Sequence, residues 1–184
     1  MKALILKYRS VVQFVFLFLG SYLLLSFCYA TYLKLSIGGS HHPDFVTHYV
    51  ARQSTGLISK LGYNAQIIAH ETKSQMVLNM DGNYLASIIE GCNSISVIIL
   101  FIAFIVAFAQ GFKKTAYFIC VGSLLIYTVN VFRIAILAIG LYHYPHQEKL
   151  LHGVVFPGII YGIVFLLWML WIKRLAPKKE TKDG

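Results

Sequence analysis

The sequence predicts an all-α membrane protein with four transmembrane helices and an extracytoplasmic loop that contains an amphipathic helix and a short β-hairpin. Three observations carry this. Of the 184 residues 58% are hydrophobic and only 12% charged, about half the charged fraction of ordinary soluble domains. The apolar residues fall in runs long enough to cross a hydrocarbon core about 30 Å thick. And the basic residues cluster at the ends of those runs, where they set orientation. The net charge of +9 is thereby accounted for without a basic, aromatic-interleaved patch, so no nucleic acid is expected among the partners.

Ser10 to Leu33 is uncharged throughout and follows Lys2, Lys7 and Arg9, which makes residues 1–33 an N-terminal transmembrane segment. It exceeds the ~7 to 15 residues of a signal-peptide core and carries no convincing small-residue cleavage site, so it reads as a retained helix. Residues 34–83 are polar by comparison and form an extracytoplasmic loop domain. Within it, Pro43-Asp44 opens a helix with Asp44 as N-cap; Phe45, Tyr49, Leu57, Ile58 and Leu61 trace an apolar stripe, and Gly62 stops it. Such a helix is expected to lie on the bilayer or pack on the other helices. Ala65–His70 and Gln75–Met80 read as strands, with Asp81-Gly82 as a hairpin turn that delivers the chain to Cys92.

Residues 84–172 are expected to form a three-helix core. Tyr84 to Phe112, apolar apart from Glu90, is the second expected transmembrane helix; Thr115 to Tyr142, broken only by Arg133, the third; Gly153 to Ile172 the fourth. Residues 173–184 form a basic cytoplasmic tail. Lys2, Lys7, Arg9, Lys113, Lys114, Lys173, Arg174, Lys178, Lys179 and Lys182 then share one side, against Lys34, Arg52, Lys60, Lys73 and Lys149 on the other. Both termini are therefore expected in the cytoplasm.

Those basic anchors give a scale of height: back from Lys113 to Cys92, forward from Lys114 to Arg133, and back from Lys173 to His152. At ~1.5 Å of rise per residue the heights are roughly 31, 28 and 31 Å, which puts a thiol, a guanidinium and an imidazole at one level near the outer interface. Helix amides exposed near Asn93 and Ser94, with Arg133, would favour the thiolate. Arg133 is costly in an apolar segment and Asn130, one turn earlier, can orient it. His152 is a candidate acid and base, although His143 and His146 in the same loop qualify on sequence alone. Glu90 reads as an interfacial charge or a partner for Arg133. The loop histidines, His41-His42 included, lack metal-ligand spacing, so neither a metal nor another cofactor is expected.

Glu90-Gly91-Cys92-Asn93-Ser94, then Asn130-Val131-Phe132-Arg133, then His152 at the head of a last helix resemble the exosortase and archaeosortase family, most closely its short exosortase F form. The resemblance covers about Asn79 to Ile172. It implies a thiol protease or transpeptidase of the bacterial plasma (inner) membrane that cuts C-terminal sorting signals from exported proteins at the extracytoplasmic face, through a thioacyl enzyme. It assigns Cys92 as nucleophile, with Arg133 and His152 completing the site and Glu90, Asn93, Ser94 and Asn130 in support. Its implied partners are exported proteins ending in an apolar helix and basic tail, and the lipid bilayer; the small number of helices suggests a minimal catalytic unit or a need for a small membrane partner protein. The chain departs from typical members in carrying Gly91-Cys92-Asn93-Ser94 where they carry Ala-Cys-Ser-Gly, and in having about half the helices of many. Two further readings stand beside this one: a non-enzymatic assembly subunit of a membrane complex, in which Arg133 pairs with Glu90, and a haem or metal protein using the loop histidines.

Overall fold

A computed structural model describes residues 8–36, 43–70 and 73–175. Expectations for His41, His42, the first basic residues and the tail beyond Leu175 lie outside these. Helix α1 runs over Arg9–Ser36. A compact unit follows, made of helix α2 (Phe45–Lys60) and strands β1 (Ala65–Ala69), β2 (Gln75–Met80) and β3 (Asn83–Ile89). The chain then turns through a 3-10 segment, Glu90–Cys92, into α3 (Ile95–Ala107) and returns as α4 (Phe112–His143). A 3-10 turn at Pro145–Gln147, one α-turn and a π-helical turn at Leu151–Val155 lead into α5 (Phe156–Leu175).

Three stretches are long and apolar enough to span a membrane: Arg9–Ser36, Phe112–His143 and Pro145–Arg174. The expected second transmembrane helix, Tyr84 to Phe112, is corrected. Only Ile95–Ala107 is α-helical there, 13 residues or about 20 Å. The reason lies at both ends of that strand-to-helix passage. Asp81 and Gly82 both have positive φ (50° and 79°), the geometry of a two-residue hairpin turn, and fold β3 back onto β2 with Met80 opposite Asn83. At the other end Ser94 sits in the left-handed region (φ 66°), so no helix passes through it. The sheet consequently has three antiparallel strands in the order β1-β2-β3.

The end of the bundle that holds the start of α1, the end of α3, the start of α4 and the end of α5 is sealed by aromatic rings. Phe14 meets Phe108 at 4.6 Å between centroids, Phe104 stacks on Trp168 at 4.4 Å, and Phe118 lies 4.8 Å from Trp171. The Trp171 indole donates to the Phe108 carbonyl at 3.1 Å, satisfying a group that the end of α3 leaves over. This end also carries Arg9, Lys113, Lys114, Lys173 and Arg174. Between the ends, Phe101, Ile105, Ile126, Ile160 and Val164 form the core of α3, α4 and α5. A Cβ on Gly122 would lie 2.3 Å from the fully buried ring of Phe101. Gly122→Ala is therefore expected to cost about 1–3 kcal/mol, seen as a lower melting temperature in detergent.

The opposite half of α4 is covered by α2 and the sheet. Ile134 packs with Val50, Ala51, Met76 and Ile88, and Ala135 and Ala138 with Ile58, Leu78 and Met80. Asp44 caps α2, accepting from the Val46 and Thr47 amides at 3.0 Å each. Of the apolar stripe expected on α2, Ile58 is buried and Leu57 half-buried against the core, whereas Phe45, Tyr49 and Leu61 are exposed; the buried face is Thr47, Val50, Ala51, Ser54, Thr55 and Ile58. Small and hydroxylated residues win this face because α2 approaches the α4 backbone closely, with the Ser54 hydroxyl reaching the Val131 carbonyl at 3.4 Å.

Candidate active site

Three elements converge on one cavity of about 210 Å³, several times the ~30 Å³ that a water molecule occupies in the liquid. Its lining includes Cys92 from the 3-10 turn, Arg133 from α4 and His152 from the π-helical turn. The walls are β3 and the apolar outer part of α4, namely Ile134, Leu137, Ala138 and Leu141.

Cys92 is fixed from both sides. On the α3 side, the fully buried Asn93 side chain donates to the Tyr29 hydroxyl (2.8 Å) and the Thr47 hydroxyl (3.0 Å) and accepts from the Ile95 amide (3.0 Å). One amide thus ties α1 and α2 to the first turn of α3. The Ser94 hydroxyl donates to the Asn93 carbonyl at 2.6 Å, so Ser94 shapes the turn and does not reach the cavity. On the α4 side, the fully buried Asn130 donates to the Cys92 carbonyl at 2.7 Å and its oxygen accepts from Arg133 Nη1 at 3.2 Å. A single side chain therefore sets the guanidinium relative to the thiol-bearing residue. Arg133 Nε is buried and without a partner among the described residues. An unpaired buried donor costs about 1–3 kcal/mol.

The height estimate assumes a continuous helix from Cys92 to Lys113, which does not exist; Cys92 nonetheless lines the same cavity as Arg133 and His152. Of the three histidines near α5, His152 lines the cavity, whereas His143 Nε2 is engaged by the Tyr63 hydroxyl at 2.8 Å. Glu90 is exposed and forms no ion pair with Arg133 among the described residues, so the pairing expected by the assembly-subunit reading is not found. Sequence reasoning does not find Tyr84, Ser87 and Glu148, which also line the cavity. For Glu148 a signal exists: it stands one helical turn before His152, on the same face.

Cys28 on α1 and Cys120 on α4 are exposed on apolar helices long enough to span a membrane, while Cys92 is half-buried and lines the cavity. A polar, membrane-impermeant maleimide added to membranes is expected to modify Cys92 well before the other two, read by peptide mass mapping.

With thiol, guanidinium and imidazole around an apolar-walled space, the site can attack a carbonyl, stabilise the oxygen that becomes negative, and move a proton. The family model described as transmembrane exosortase matches residues 4–173. No curated protein and no solved structure matches the chain.

Proposed function

The chain belongs to the transmembrane exosortase family, and from that premise we propose that it is a cysteine protease or transpeptidase that removes C-terminal sorting signals from exported proteins. The observation that carries this reading is the common cavity of Cys92, Arg133 and His152. In the proposed reaction the Cys92 thiolate attacks the scissile carbonyl and a thioacyl enzyme forms as the peptide C–N bond breaks. Arg133, which lines the cavity, holds the carbonyl oxygen as charge develops on it. His152 protonates the leaving amine and then deprotonates the incoming nucleophile, an amine in transfer or water in hydrolysis.

The topology proposed for this reaction has α1, α3, α4 and α5 crossing the plasma membrane, both termini cytoplasmic, and the cavity on the extracytoplasmic side. Supporting it, the basic residues Arg9, Lys113, Lys114, Lys173 and Arg174 gather at the bundle end remote from the cavity. The substrates are exported proteins whose precursors end in an apolar helix and a basic tail, with that helix lying against the bundle. The test compares, by mass spectrometry, the C-termini of such proteins in cells that do and do not express this chain. Loss of tails only when it is present is the expected result, and added mass at the new terminus indicates transfer. Intact tails in both would remove the reading.

Asn130→Ala frees both the Cys92 peptide and the guanidinium without touching either reacting group. Processing is expected to slow by about 10- to 100-fold, because misplacement of about 1 Å near reacting atoms costs that order of rate.

A further inference from the structure

The edge of β3 that does not pair with β2 is a polypeptide-binding site in waiting. No hydrogen bond joins the outward backbone N–H and C=O groups of Tyr84–Ile89 to any described residue. The segment is nonetheless withdrawn from water in part, since Leu85, Ala86 and Ser87 are half-buried and Ile88 is buried. Backbone groups without partners along a strand edge are a template for another strand. Tyr84 through Ile88, without a gap, line the cavity that holds Cys92. Alternate side chains of a strand point to opposite faces, so a space against one face would touch every second residue. The bulge at Leu85, which has no partner across β2, brings Leu85 and Ala86 to one side. It leaves Ser87 beside Ile88 unexplained; contact with both carries the cavity round to the strand's edge, while Leu78 of β2 shows that it also reaches over the sheet face toward α4.

We propose that the exported-side segment of the substrate, immediately before the scissile bond, binds in extended form as a fourth strand on this edge of β3. The proposal rests on the protease reading above and adds how the polypeptide is held and in which direction. β3 starts beside the outer end of α4, where the Tyr142 hydroxyl donates to Asp81 at 2.8 Å, and ends beside Ile134 and Asn130. A substrate whose folded part is outside and whose apolar tail is in the membrane travels the same way. It therefore pairs parallel to β3, with evenly spaced hydrogen bonds from alternate residues, and its scissile carbonyl arrives where β3 delivers Cys92. Extension also exposes the carbonyl that a helical tail would keep in its own hydrogen bond.

The experiment uses the full-length protein in detergent and an acetylated tetrapeptide of alanine and valine ending in a chloromethyl ketone, from which the Cys92 thiolate displaces chloride. Two analogues carry one backbone N-methyl group each, on adjacent amides, and iodoacetamide reports the reactivity of the thiol itself. Expected is a labelling rate at Cys92 at least about 10-fold lower for one analogue than for the parent, with the other analogue within about twofold of it. That period of two belongs to strand pairing. Equal rates for parent and both analogues, with iodoacetamide still labelling Cys92, overturn the strand while leaving the protease reading in place. Equal rates that rise together when a dimer is diluted apart assign the edge to a second copy of the chain, and also overturn it. Failure of every reagent at Cys92, iodoacetamide included, removes the protease reading and the strand with it.

Discussion

Cys92→Ala is expected to reduce C-terminal processing by at least about 10³-fold, with a protein that still folds and inserts. The magnitude follows from the role: without the sulfur no thioacyl enzyme can form, and what is left is positioning and charge stabilisation around an unactivated water. Folding is expected to survive because the polar links around Cys92 use other groups. Its carbonyl, not its thiol, takes the bond from Asn130, and the anchoring of the turn belongs to Asn93. The measurement is the fraction of exported proteins that keep their tails, by mass spectrometry, alongside the melting temperature of the purified variant. Unchanged processing with Cys92→Ala would displace the thiol from the centre of the reaction.

Arg133 is the second large effect. Arg133→Gln is expected to slow processing by about 10²- to 10³-fold, the usual consequence of removing one donor aimed at a developing oxyanion. Arg133→Lys is expected to recover little of this. A lysine keeps the charge but presents a single point of donation, whereas the planar fork of the arginine can give Nη1 to Asn130 and still offer further N–H groups. Full recovery by lysine would mean that only net charge is needed at this level. Both variants remove the unpartnered Nε, but they also take the Nη1 donor from the buried Asn130 oxygen, so the loss of processing is read beside the melting temperature of each purified variant.

The grouping of Cys92, Arg133 and His152 in one cavity is more legible in the sequence than the backbone that builds it. Arg133 interrupts an apolar helix, and Asn130 one turn earlier marks its helical face; both statements need only helical geometry, and α4 is a regular helix. Counting residues along a helix places Cys92 beside them, although the stretch is really a strand, a turn and a short α3. The misreading has a physical origin: Tyr84-Leu85-Ala86-Ser87-Ile88-Ile89 suits lipid and sheet alike, and its apolar residues do not alternate. The decisive local feature is the Asp81-Gly82 pair, whose positive φ values commit the chain to a second hairpin arm. On α2 the rings of Phe45 and Tyr49 draw attention away from the buried face, although Ile58 of the same expected stripe lies on it. Close approach to α4 demands Ala51, Ser54 and Thr55, which carry little hydropathy but allow two backbones to meet. Glu148 escapes a periodicity test applied to apolar residues alone.

The shortness of α3 has a consequence for the lipid around it. Under the four-crossing arrangement, about 20 Å of helix must serve a hydrocarbon layer of about 30 Å. Such a mismatch is relieved when neighbouring acyl chains compress and headgroups dip toward the midplane. On the flank of α3 the water boundary would then lie several ångströms deeper than elsewhere. A tail segment sliding in along that flank would lose hydrocarbon cover at its first turn before meeting any reactive group, and the membrane itself would share in unwinding it.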